Sequence, residues 1–149
     1  MATLAQLEDR LREIEDSDAI DLPFSLAEIG EQLERELADP TLLRAVADEI
    51  SVAADELGCS RLVGASNVGE RLAGAAVAVD KNGLRVLGPD EHAEDVLVID
   101  GMVLTGTRLE RTFAELRVRG ITPRGVAALL ASTLTARDEP AVRILVPRN

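Results

Sequence analysis

Apolar residues recur every three or four positions near the start of the chain, at Leu4, Leu7, Leu11 and Ile14, which gathers them on one face of a helix of about three turns. The stretch DSDAIDLP interrupts that pattern with turn-forming Asp and Ser, and Pro23 disfavours helix at Leu22. Ser25, with Glu28 three positions on, reads as the capping box of a second helix through LAEIGEQLERELA. Asp39 as cap and Pro40 at the first helical position then open a third, which runs to Gly58.

From Cys59 onward the period changes. SRLVGAS reads as a short buried strand feeding a loop, and NVGERLAGAAVAV as a small-residue helix able to lie close to a sheet. DKNG is a turn, with Asn82-Gly83 the strongest local hairpin signal in the chain. LRVLG is a short strand candidate, and GPDEHAED a polar loop. DVLVID is apolar almost throughout, as a strand covered on both faces should be. The helix TRLERTFAELRVRG, ending at Gly120, and two further strands, RGVAALLAS and AVRILV, complete the alternation. The expected fold class is α/β: a mainly parallel sheet flanked by helices over 59–149, with an N-terminal helical extension over 1–58, together one structural domain.

The length of 149 residues suits one domain, and the 46% hydrophobic content supplies a core without disulfides. That core is aliphatic, since Phe24 and Phe113 are the only aromatic residues. The net charge of -11 repels nucleic-acid backbones and argues against DNA or RNA as partner. The lone Cys59, read as a buried apolar residue, fits a reducing, cytoplasmic setting. One Cys and one His, His92, do not make a tetrahedral zinc site, so no resident metal is expected. His92 itself, in a polar loop, is expected in solvent. The charged amphipathic start lacks a signal core, and no apolar run approaches the ~20 residues of a membrane span.

In an open parallel sheet, ligands bind beyond the carboxyl ends of the strands. Asp100 is expected at such an end, with the loop Gly101–Thr107 leading into a helix whose free N–H groups favour an anion. Thr105, Gly106 and Thr107 offer two hydroxyls on a small turn, a geometry that suits a phosphate monoester; a capped structural helix is the plainer alternative. Arg108 is either a solvated first-turn side chain or a charge-assisted contact to the phosphate.

VLVIDGMVLTGTRLERTFAELRVRG resembles the phosphoribosyl-pyrophosphate signature of type I phosphoribosyltransferases. Val96–Ile99 match its strand, Asp100 its first acid, Met102 and Val103 its apolar pair, and Thr105 with Gly106 its phosphate turn. Upstream, RLVGASNVGERLAGAAVAV is similar to the family's first core strand and pyrophosphate loop, with Ser66, Asn67 and Gly69 in that loop. The resemblance implies a phosphoribosyltransferase-like fold and a phosphorylated sugar or nucleotide as ligand. It further implies Asp100 at the ribose diol, Thr105–Thr107 at the 5′-phosphate, and magnesium as cofactor in an active enzyme.

The chain departs from that pattern where chemistry is done. Gly101 replaces the second acid, Leu104 a polar residue, and Arg108 the hydroxyl that closes the turn. The stretch before Asp100 is too short for a long mobile cover. Each lost donor or carboxylate can cost ~3–4 kcal/mol of transition-state stabilisation, so binding with weak or lost transfer is expected. The alternative is a non-catalytic regulatory or assembly protein acting through protein contacts. The Leu4/Leu7/Leu11/Ile14 stripe serves either self-association into a homo-oligomer or the covering of the chain's own sheet.

Overall fold

The fold, taken from a computed structural model, is described for residues 4–15, 22–103, 107–131 and 142–147. Three helices come first: α1 (Leu4–Glu15), α2 (Leu22–Glu36) and α3 (Pro40–Leu57). Strands and helices then alternate as β1 (Arg61–Gly64), α4 (Asn67–Val79), β2 (Arg85–Val86), β3 (Val96–Val103), α5 (Thr107–Val118), β4 (Gly125–Ala131) and β5 (Val142–Ile144). The five strands form one sheet in the order β2-β1-β3-β4-β5, and every pairing is parallel.

Side-chain alternation along β3 divides the core. Leu97 and Ile99 face α1–α4 and join Leu7, Leu11, Ile29 and Ile50 in one buried cluster. Val96 and Val98 face the other way, toward Leu109, Phe113 and Leu116 of α5. Both faces of the strand are therefore dry, which is why its sequence is apolar throughout rather than alternating. Leu7 and Leu11 are fully buried against the chain's own interior, so the α1 stripe helps to cover the sheet. An Arg12 Nη1 hydrogen bond to the Ala131 carbonyl, 3.3 Å, ties α1 to the end of β4.

Helix starts follow side-chain chemistry. The Asp39 carboxylate accepts from the Thr41 amide at 2.9 Å, with Pro40 in the first turn of α3 as expected. The second helix differs from expectation: α2 begins at Leu22, ahead of Ser25. Pro23 lies in its first turn, where the missing N–H has no intrahelical acceptor to lose, so proline is tolerated there. Asn82-Gly83 does form a turn, yet it links α4 to a parallel strand rather than closing a hairpin. The Asp80 carboxylate shapes that turn by accepting from the Asn82 and Leu84 amides, both at 2.8 Å.

The largest difference concerns Gly101. The strand continues past Asp100 to Val103, paired with β4 through Val103 and Ala131, so Gly101 is a strand residue and not the first residue of a loop. On its other side β3 pairs with β1 only as far as Gly64 opposite Ile99. Asp100 thus sits where β1 has ended and β3 still runs, a notch in the carboxyl edge of the sheet.

The connection from β2 to β3 is the polar loop expected at 88–95, and it lies beside α5. Arg119 Nη2 donates to the Gly88 carbonyl at 2.7 Å and to the Glu91 carbonyl at 2.5 Å, while Arg61 Nε donates to the Glu91 carboxylate at 2.9 Å. His92 is exposed on this loop. Cys59 is buried, and that burial pushes its thiol above the ordinary range, so it is no ready nucleophile. Among the described residues no helix is long and apolar enough to cross a membrane.

Candidate functional site

The strand order reverses between β1 and β3: the chain steps outward from β1 to β2, then returns and steps outward the other way through β3, β4 and β5. Helix α4 leaves β1 for one face of the sheet, and α5 leaves β3 for the other. Loops that part in opposite directions open a crevice at the strands' carboxyl ends, the place where open α/β sheets take their ligands. An open cleft of about 420 Å³ lies here. Its walls come from the β1–α4 loop (Ala65, Ser66, Asn67), from Arg108 and Arg111 on α5, and from Glu34 on α2.

Ser66 is the joint between the two loops. As N-cap of α4 its hydroxyl accepts from the Gly69 amide at 3.0 Å, and it donates to Asp100 Oδ1 at 2.6 Å. Asp100 is only 1% exposed, and Oδ1 also accepts from the Gly101 amide at 2.8 Å. Arg108 Nη1 stands 3.8 Å from the same oxygen while the rest of its side chain, 59% exposed, extends into solvent. The carboxyl group therefore lies one layer behind the cleft wall, holding Ser66 and steering Arg108.

Two glycines allow this approach. A Cβ on Gly69 would stand 2.2 Å from the Ile99 carbonyl oxygen, so only glycine lets the first turn of α4 lie against β3. At Gly101 a Cβ would meet Val68 Cγ1 at 2.6 Å and Leu33 Cδ2 at 3.2 Å. The space of any side chain at 101 is already filled by α4 and α2, so glycine is here a packing requirement.

The residues expected from sequence thus fall into three groups. Ser66, Asn67 and Arg108 share the cleft wall, and Asp100 backs it. Gly69 and Gly101 are packed between elements, and Thr107 is exposed at the start of α5. Leu104, Thr105 and Gly106 lie outside the described residues. The sequence reading missed Glu34 and Arg111. Arg111 is three positions beyond Arg108 on α5 and so shares its face, a signal that periodicity offered. Nothing local marks Glu34, which reaches the cleft only because α2 packs against α4 and β3.

The cleft's rim is mixed, with the guanidinium groups of Arg108 and Arg111 beside the Glu34 carboxylate. Helix α4, of 13 residues, begins at the cleft, and α5 sends Arg108 and Arg111 to it from its first turns. Among the described residues no group of three His, Cys, Asp or Glu side chains could hold a metal ion. No family model matches this chain, and no curated protein or solved structure matches it either.

Proposed function

We propose that this chain is a phosphoribosyltransferase-like protein whose switch-point cleft binds a phosphorylated sugar or nucleotide of the phosphoribosyl type, with weak or lost transfer. The observation that carries the reading is the meeting of Ser66, Asn67, Arg108 and Arg111 at the point where the strand order reverses, over the buried Asp100. Backbone amides of the β1–α4 loop and the guanidinium groups of α5 bind the phosphate oxygens. Asp100 acts through Ser66 and Arg108, fixing both.

The packing at Gly101 favours binding over turnover. A second carboxylate beside Asp100 has no room under Val68 and Leu33. Without it no group of three carboxylate or imidazole side chains among the described residues could hold magnesium, and in this proposal the ion would ride on the ligand's phosphate oxygens. The second reading is a non-catalytic regulatory or assembly role through protein contacts, which the lack of room for a second carboxylate beside Asp100 favours over turnover.

Thermal shift with ribose 5-phosphate, nucleoside monophosphates and phosphoribosyl pyrophosphate, each with magnesium, tests binding. A ligand at a hundred times its Kd stabilises by about 2.7 kcal/mol. Arg108→Ala and Arg111→Ala should each weaken binding about tenfold, since a charge-assisted hydrogen bond contributes about 1.5–3 kcal/mol. A folded double variant with an unchanged shift would remove the cleft from consideration. Pyrophosphate release with a panel of bases measures whether any transfer survives.

A further inference from the structure

The rim of the cleft carries a carboxylate that a pure anion site does not need. Glu34, on α2, forms part of the same wall as Asn67, Arg108 and Arg111. Its side chain is about half exposed, and its ion pair is a loose one, with Arg71 Nη2 at 4.0 Å. A pair that long between two half-exposed side chains is weakly held and readily exchanged for a better partner. Resting on the reading of the cleft as a phosphate site, this gives the site two poles: the guanidinium groups with the start of α4, and the Glu34 carboxylate.

A ligand that is only an anion would meet repulsion from Glu34. One that presents a nitrogen-bound hydrogen beside its phosphate would satisfy both poles at once. We propose that the cleft selects phosphate monoesters carrying an amino group, with Glu34 as the residue that reads it. The amino group is either the ammonium of a phosphorylated amino sugar or the exocyclic amine of a nucleotide base. Both offer a carboxylate the same chemistry, a donor that Glu34 accepts after releasing Arg71.

Calorimetry on the full chain with two matched pairs separates the possibilities: glucosamine 6-phosphate against glucose 6-phosphate, and guanosine 5′-monophosphate against inosine 5′-monophosphate. The amino member of at least one pair should bind about tenfold tighter, the gain expected of one charge-assisted hydrogen bond. The pair that shows the gap identifies the source of the amine. Glu34→Gln should bring that pair to parity without weakening its amine-free member. Arg71→Ala, which frees Glu34 from its neighbour, should keep or widen the gap. Equal affinities within both pairs, unchanged in Glu34→Gln, would overturn the assignment of Glu34 while leaving the phosphate site standing. Failure of all four phosphates to bind would overturn the cleft itself.

Discussion

The Ser66 hydroxyl joins an N-cap to a buried carboxyl group, so its removal is felt twice. Loss of the cap costs about 1 kcal/mol, and loss of a donor to a buried acid about 1.5–3 kcal/mol. Ser66→Ala should therefore lower stability by about 2–4 kcal/mol in urea denaturation, and Ser66→Thr should recover most of it. Gly101→Ala should cost about 1–3 kcal/mol by overpacking, because Val68 and Leu33 are side chains that can yield. Gly69→Ala should cost more, since the group it meets is the Ile99 carbonyl of the central strand. Two further carboxylates link stability to pH. Hydrogen bonds from Ser51 to Asp80, at 2.5 Å, and from Ser60 to Asp95 hold both groups below their ordinary value of 3.8. A depressed folded-state value means that the stabilisation is present above that ordinary value and is lost as pH falls through the lower, folded one. Ser51→Ala and Ser60→Ala should accordingly destabilise at neutral pH, and their difference from the parent should shrink in acid unfolding below about pH 4.

At the scale of elements, the two faces of the sheet are unequally served. Four helices cover one face, and α5 with the connecting loops covers the other. Phe113 is the largest side chain in that thinner layer, and Phe113→Ala should cost about 3–5 kcal/mol. Leu11→Ala should cost about 2–5 kcal/mol if α1 is integral to the core, against less than about 0.5 kcal/mol for a surface appendage. Equilibrium denaturation distinguishes the two outcomes. Most elements were legible in the sequence because their apolar patterns are unambiguous: the unbroken run of β3, the small-residue α4, and the Asp39-Pro40 start of α3. The misread places share a cause. Sequence alone has Gly101 beginning a loop and Pro23 disfavouring helix at Leu22, because both residues usually act so. Here Val68 pressing on β3 and the spare amides of a first helical turn decide instead. The cleft was half legible. Ser66, Asn67 and Arg108 lie at the starts of helices that follow recognisable strands, whereas Glu34 arrives through the packing of a distant helix, which no local pattern encodes.

At the scale of the whole molecule, every strand pairing is parallel and is closed only after an intervening helix or long connection, so the sheet depends on contacts distant in sequence. The strands that the first helices cover, β3 and β4, come late in the chain. At a synthesis rate of about 5–20 residues per second, the ~80 residues between α1 and Leu97 take roughly 4–16 s to emerge. Helices form in about a microsecond. A nascent chain therefore carries the greasy sides of α1 and α2, with Leu7, Leu11, Ile29 and Leu33, for seconds before the sheet can cover them. Ribosome-bound chains halted before Val96 should be held by a chaperone that releases those halted after Ala131. This protein's vulnerable moment is its own translation.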